Sequence, residues 1–232
     1  MKILGIIPAR GGSKGIPGKN IKMLAGKPLL QYTWEVASKS TLLSKVILST
    51  EDDAIINVAK SLGINIPFKR PSNLSKDKSP TLGVIQHALE FYKTKGETFD
   101  AICLLQVTSP FRTVAFLEKA IETFVEAKTD SLISVLEVPH EFNPHWTFKA
   151  NKNNELNIAT GEKTIISRRQ DLPKAYHRDG SIYLTKTDTI IKDNSLFGNS
   201  ISYVLSSKET HVNIDTLEDW EKAEAICKTK FL

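Results

Sequence analysis

The 232-residue chain has only two cysteines, and Cys103 in an apolar run and Cys227 near the end share no C-x-x-C spacing. That excludes a disulfide framework and a zinc ribbon, and leaves two incidental thiols. Glycine (12) and proline (10) are too few, and the apolar (41%) and charged (25%) fractions too ordinary, for a collagen-like, low-complexity or disordered chain. No stretch approaches the ~18 apolar residues of a membrane span, and the run before Pro8 is too short for a signal peptide. The chain therefore reads as soluble and cytoplasmic, with no membrane partner. A basic stripe or tail is also missing: 31 Lys+Arg against 26 Asp+Glu give +5, but the cations are scattered. This speaks against a nucleic-acid partner and for a small anionic substrate. No internal repeat is visible, and at ~150 residues per domain the length suits one large domain over 1–232.

Short apolar runs alternate with helical stripes. Lys2–Ile7, Val46–Leu48, Ala101–Leu105 and Leu132–Val138 predict buried strands, and a shorter strand is expected around Ile64–Phe68. Between them Leu29, Leu30, Thr33, Trp34 and Ala37 predict a first helix, and Ile55, Val58, Ala59 and Leu62 a second, closed by Gly63. Leu82, Ile85, Leu89 and Tyr92 predict a third, and Leu117, Ala120, Ile121 and Phe124 a fourth. Such alternation implies an α/β fold with a mostly parallel sheet. The rhythm breaks over 139–179, which reads as an inserted arm forming its own hairpins and packing on something, a second subunit included. Ser181–Leu184 and Ile201–Leu205 return to strand character, and Leu217, Trp220, Ala223 and Ile226 close the chain as an amphipathic helix.

The most informative segment follows the first strand. From Pro8 to Asn20 it carries four glycines and the cations Arg10, Lys14 and Lys19. Ligands of open α/β sheets bind beyond the carboxyl ends of strands, where glycine-rich turns let backbone N–H groups approach phosphates. A Walker loop ending on Gly18-Lys19 would need Gly at Ser13 and Ser or Thr at Asn20, and G-x-G-x-x-G is absent. A purely structural turn would need fewer glycines and no cations.

These residues resemble a known family. Ala9, Arg10, Ser13, Lys14, Gly15, Pro17, Lys19 and Asn20 meet the opening signature Ala-Arg-x-x-Ser-Lys-Gly-x-Pro-x-Lys-Asn of the CMP-sugar-acid synthetases. These are the acylneuraminate cytidylyltransferases and their relatives for other nonulosonic acids. Arg70-Pro71 with Asp77, Ser79, Pro80 and Thr81 is similar to the family's nucleotide-base segment. Leu105-Gln106-Val107-Thr108-Ser109-Pro110-Phe111-Arg112 is similar to its substrate motif. Arg168 to Pro173, Gly180-Ser181-Ile182-Tyr183 and Ile214 to Asp219 complete the order, so the likeness spans nearly the whole chain.

The resemblance implies a Rossmann-like, three-layer nucleotidyltransferase fold with a dimerisation arm, and a homodimer. It implies transfer of a cytidylyl group from CTP to the anomeric hydroxyl of a sugar acid, with Mg²⁺ as cofactor and pyrophosphate released. Arg10 and Lys14 would neutralise the phosphates, with Ala9, Gly11, Ser13 and Asn20 around them. Arg70 and Ser79 would flank cytosine and ribose, although an ordinary ion pair remains an alternative for Arg70. Gln106, Thr108, Ser109, His177 and Tyr183 would contact the sugar acid, with helix capping as the alternative for Thr108 and Ser109. Arg169 would hold its carboxylate, in a neighbour's site if the arm crosses a dimer. Asp215 is the metal ligand, unless it caps the last helix. The family's Asp-Ile-Asp is here Asn213-Ile214-Asp215, so an amide replaces one metal carboxylate. His177, Asp179 and Trp146 also depart from common family residues and bear on which sugar is read. The alternatives are a synthetase for the eight-carbon 3-deoxy-manno-octulosonate and a catalytically silent nucleotide-binding homologue.

Overall fold

An apolar run with no polar face must be covered on both sides, and Ile3, Leu4, Ile6 and Ile7 of strand β1 (Ile3–Pro8) are each at most 1% exposed. The computed structural model describes residues 1–230. After the glycine loop the chain runs through β2 (Met23–Leu24), β3 (Lys27–Pro28), α1 (Leu29–Lys39) and β4 (Lys45–Ser49). It continues through α2 (Asp53–Ser61), α3 (Thr81–Lys93), β5 (Ala101–Leu105), α4 (Val114–Ala127) and β6 (Ser131–Glu137). The arm carries β7 (Phe148–Ala150) and β8 (Leu156–Ile158); β9 (Tyr176–Lys186), α5 (Thr187–Lys192), β10 (Ile201–Leu205) and α6 (Leu217–Lys230) follow.

Six strands form one sheet in the order β10-β6-β9-β5-β1-β4. β1 is parallel to β4 and β5, and β10 to β6; β9 alone is antiparallel, to β5 and β6. Alternation along β1 sends Ile3 and Ile7 to one face and Leu4 and Ile6 to the other. Leu30 of α1, Phe124 of α4 and Trp220 of α6 cover the first face; Ile85 of α3 and Ile190 of α5 cover the second. The result is the expected three-layer α/β architecture with a mostly parallel sheet. Cys103 belongs to this core, and burial pushes its thiol up to about 12, so it packs as an inert hydrophobe.

Two boundaries differ from the sequence reading. No strand forms over Ile64–Phe68. Leu48 donates to the Asn65 carbonyl and Arg70 to that of Thr50, but Pro67 has no N–H to extend a ladder on the edge strand β4. The arm also ends earlier than Asp179, because β9 enters the sheet at Tyr176 and pairs with Glu137. Within the arm one hairpin forms, β7 with β8, and Phe142, Phe148, Leu156 and Ile165 are exposed.

Candidate active site

The carboxyl ends of β1 and β5 point the same way, and the loops leaving them enclose a cleft of about 500 Å³. Its floor is the glycine loop. Gly15 packs so closely on Asp215 that a Cβ there would collide with the Asp215 carbonyl oxygen, which accounts for a glycine at a backbone angle any residue could adopt. Asn20 Nδ2 donates to the Arg10 carbonyl at 2.8 Å and stiffens the loop from below. Lys19, buried under it, places Nζ 3.0 Å from Asp215 Oδ1, joining the first motif to the last across 196 residues.

Arg10, Ser13, Lys14, Asn20, Arg70 and Ser79 all line this cleft, as do Gln106, Thr108 and Asp215. Lys19, Lys76 and Asp77 line it too, though sequence reasoning gave them no role of their own. The Asp77 carboxylate reaches Lys14 Nζ at 2.6 Å and Arg10 Nη1 at 2.9 Å. Lys14, then Arg10, hold its carboxyl below the usual carboxylate range. The two loop cations are thus already gathered around one anionic group, the arrangement a phosphate would compete for.

In the wall of the cleft Arg70 is buried against Glu51, Nη2 to Oε2 at 2.6 Å, so it is not a surface ion pair. The other Glu51 oxygen accepts from Gly11 N–H at 2.9 Å. Burial pushes the Glu51 carboxyl up, but the Arg70 and Gly11 hydrogen bonds outweigh it and hold the group below its ordinary range. Ala9 is buried and donates to the Ser49 carbonyl, so it and Gly11 support the loop with their backbones.

The remaining residues are dispersed. Thr108 Oγ1 donates to Gln106 Oε1 at 3.4 Å, while Ser109 is buried beside a second cavity with Arg112, Asp179 and Ser181. Neither Thr108 nor Ser109 caps α4; Thr113 does, accepting from Phe116 N–H at 3.1 Å. Arg112 is the larger omission. Its buried guanidinium donates to the Ser181 carbonyl at 2.6 Å and the Gln106 carbonyl at 3.1 Å, holding the Gln106 turn against β9. Burial pulls it down to about 10, so it remains charged at neutral pH. Tyr183 lines a neighbouring cavity with Gln106. His177 is exposed on β9, and Arg169 sits in an exposed turn at the base of the arm with Glu137 and Glu141, lining a separate cavity.

At the last motif, Thr216 and Asp219 cap α6 reciprocally: Asp219 N–H donates to Thr216 Oγ1, and Thr216 N–H to Asp219 Oδ2. Asp215 is therefore not the cap. Its Oδ2 accepts from Asn213 Nδ2 at 2.9 Å, and Asn213 Oδ1 is buried with no hydrogen-bond partner. Asp215 lines the cleft, and its carboxylate fits a hard divalent cation that draws its other ligands from phosphate and water; the Asn213 amide turns its nitrogen to that carboxylate and its oxygen toward Gly180. Among the described residues no group of three or more His, Cys, Asp or Glu could hold a metal alone.

Gly11-Gly12-Ser13-Lys14-Gly15 also spells the G-x-S-x-G elbow of hydrolases, but no helix begins at Ser13 and no histidine lines the cleft among the described residues.

A family model described as Cytidylyltransferase matches residues 4–232. The chain belongs to the cytidylyltransferase family. This cytidylyltransferase is 36% identical over 228 residues to the pseudaminic acid cytidylyltransferase of Campylobacter jejuni, covering 98% of this chain and 97% of that one. It is 31% identical over 236 residues to the CMP-N,N'-diacetyllegionaminic acid synthase of Legionella pneumophila, covering 97% and 96%. Among solved structures, a CMP:2-keto-3-deoxy-manno-octonic acid synthetase complexed with CTP superposes with a TM-score of 0.75 at 17% identity, over 99% of this chain and all of that one, a likeness of fold. The cytidylyltransferase is accordingly a nucleotidyltransferase enzyme, and among its described residues no helix is long and apolar enough to cross a membrane.

Proposed function

We propose that this enzyme transfers the cytidylyl group of CTP to the anomeric hydroxyl of a nonulosonic acid, giving a CMP-sugar and pyrophosphate. The observation that carries the reading is the meeting of Arg10, Lys14, Lys19 and Asp215 in one cleft, although loop and last motif lie some 200 residues apart in sequence. The full-length likeness to a pseudaminic and a legionaminic acid enzyme favours a nine-carbon acid over the eight-carbon one.

In this reaction the anomeric oxygen bonds to the α-phosphorus as the α–β bridging bond breaks, and negative charge grows on the departing pyrophosphate. Arg10 and Lys14 meet that charge from a loop already held by Asn20 and Glu51, so little reorganisation is needed. Ser13 supplies a further hydrogen bond, and Arg70 and Ser79 flank the base and ribose. Mg²⁺, when bound, supplies charge to the phosphate oxygens; Asp215 would hold it, with Asn213 Nδ2 orienting that carboxylate. Gln106, with Thr108 bonded to it, stands between the phosphate floor and the cavity of Tyr183, where the sugar acid is read; of the two, Gln106 lines both.

The protein is proposed to act as a homodimer in which the arm and the β10 edge bury their apolar side chains against a second copy. Ile201, Tyr203 and Leu205 on that edge are each about half exposed, as are several residues of the arm. His177 and Arg169 stand on this side of the molecule, where a partner could use them.

The test is pyrophosphate release from CTP and Mg²⁺ with pseudaminic, legionaminic and sialic acids and the eight-carbon acid, with product masses. Turnover is expected with a nine-carbon acid, falling ~10²-fold in Lys14→Ala. CTP binding without turnover on any acid would leave the silent homologue instead.

A further inference from the structure

A cavity of about 330 Å³ adjoins the triphosphate cleft and shares Thr81 and Gln106 with it. Its walls are apolar at Leu82, Leu196 and Phe197 and neutral polar at Asn194 and Ser195. Among the described residues Arg178 is the one charged side chain lining it, and that guanidinium makes no ion pair. Its contact is with Tyr183: burial pushes the phenol up, and the Arg178 hydrogen bond and charge draw it back.

The sheet explains how Arg178 comes to face this cavity. Tyr183 and Arg178 are five residues apart, an odd spacing that simple alternation would put on opposite faces. Their partners on β6, however, are Ile133 and Val135, two apart and on one face. Between those pairs β9 uses five residues where β6 uses two. Gly180 turns at φ 83, and Asp179 is drawn to the opposite side by Ser134 and Ser206. The bulge restores parity and delivers a cation and a phenol to the same wall.

Resting on the reading above, we infer that Arg178 binds the carboxylate of the sugar acid and so fixes the position of the attacking hydroxyl. In the cyclic form of a 2-keto sugar acid the carboxylate and the anomeric hydroxyl share one carbon, so a group gripping the first orients the second. A guanidinium can do this with two parallel hydrogen bonds. The cavity places that grip beside Gln106, at the border of the triphosphate cleft, and its apolar wall suits an N-acyl methyl group. Arg169 lines a different cavity, together with Glu137 and Glu141, that shares no residue with the cleft.

The experiment compares the acid that turns over with its C1 methyl ester, which keeps the hydroxyl and loses the charge. The wild-type enzyme is expected to favour the acid strongly. In Arg178→Met, kcat/KM for the acid falls about 10²-fold, the ester is little changed, and KM for CTP stays constant. Arg178→Lys recovers part of the loss. Equal loss on acid and ester marks a structural role and overturns the assignment, as does collapse of the preference in Arg169→Met with Arg178→Met unaffected. Wild-type protein that binds CTP but turns over no nonulosonic acid fails the underlying reading, and the inference with it.

Discussion

Glu51 shows how one side chain can couple two parts of the proposed nucleotide site. One oxygen takes the Gly11 N–H of the glycine loop and the other takes the buried Arg70 guanidinium. Glu51→Gln keeps an acceptor for Gly11 and strips Arg70 of its counter-charge, at a cost on the order of 2 kcal/mol, with a weaker affinity for CTP. The pH dependence follows from the depressed carboxyl. A group whose pKa is lowered by folding stabilises the protein above its unfolded value, near 4.3, and loses that contribution as pH falls through the folded value. The stability gap between wild type and Glu51→Gln, read from chemical denaturation, should therefore be full at pH 7 and shrink below pH ~4. Such coupling is not visible in a list of residues: Glu51 reads in sequence as one more acid after a strand. Arg10 and Lys14 were legible because cations among glycines after a buried strand have few other uses.

Among the elements, strands and helices were legible wherever burial was complete. Ala101–Leu105 is apolar at every position and forms β5 with those bounds, and Gly63 closes the region of α2 with φ 67. The Ile64–Phe68 segment was misread because the apolar pattern carries no information about a missing N–H at an edge. The capping alternatives fail for a related reason: Thr108, Ser109 and Asp215 are good capping types, but Thr113 and Thr216 stand at the helix starts. The loop after β1 depends on Gly15 in a way that its backbone angle does not betray. Gly15→Ala should force the loop away from Asp215, lowering turnover at least ~10-fold while the melting temperature falls by only a few degrees. A wild-type rate in that variant would mean the contact between first and last motifs is dispensable.

For the whole molecule, the arm and the β10 edge leave several large apolar side chains exposed. Phe142 and Leu156 are about two-thirds exposed, and Ile201, Tyr203 and Leu205 follow one another along an unpaired edge. Paired substitution of Phe148 and Leu156 by Glu should convert the proposed dimer to a monomer in light scattering, with the fold of the three-layer body intact by circular dichroism. A monomeric wild-type protein would remove the proposal.

The chain's own order of residues was enough to determine the layers, the direction of most strands, the glycine loop and the family, because each rests on local periodicity or on short contiguous motifs. Tertiary structure alone decided which distant groups meet. Lys19 touches Asp215, Glu51 joins Gly11 to Arg70, and a bulge three residues deep turns Arg178 to the side of Tyr183. Those contacts come from sheet register and loop closure, which depend on how whole elements pack and leave no pattern in any one stretch of sequence.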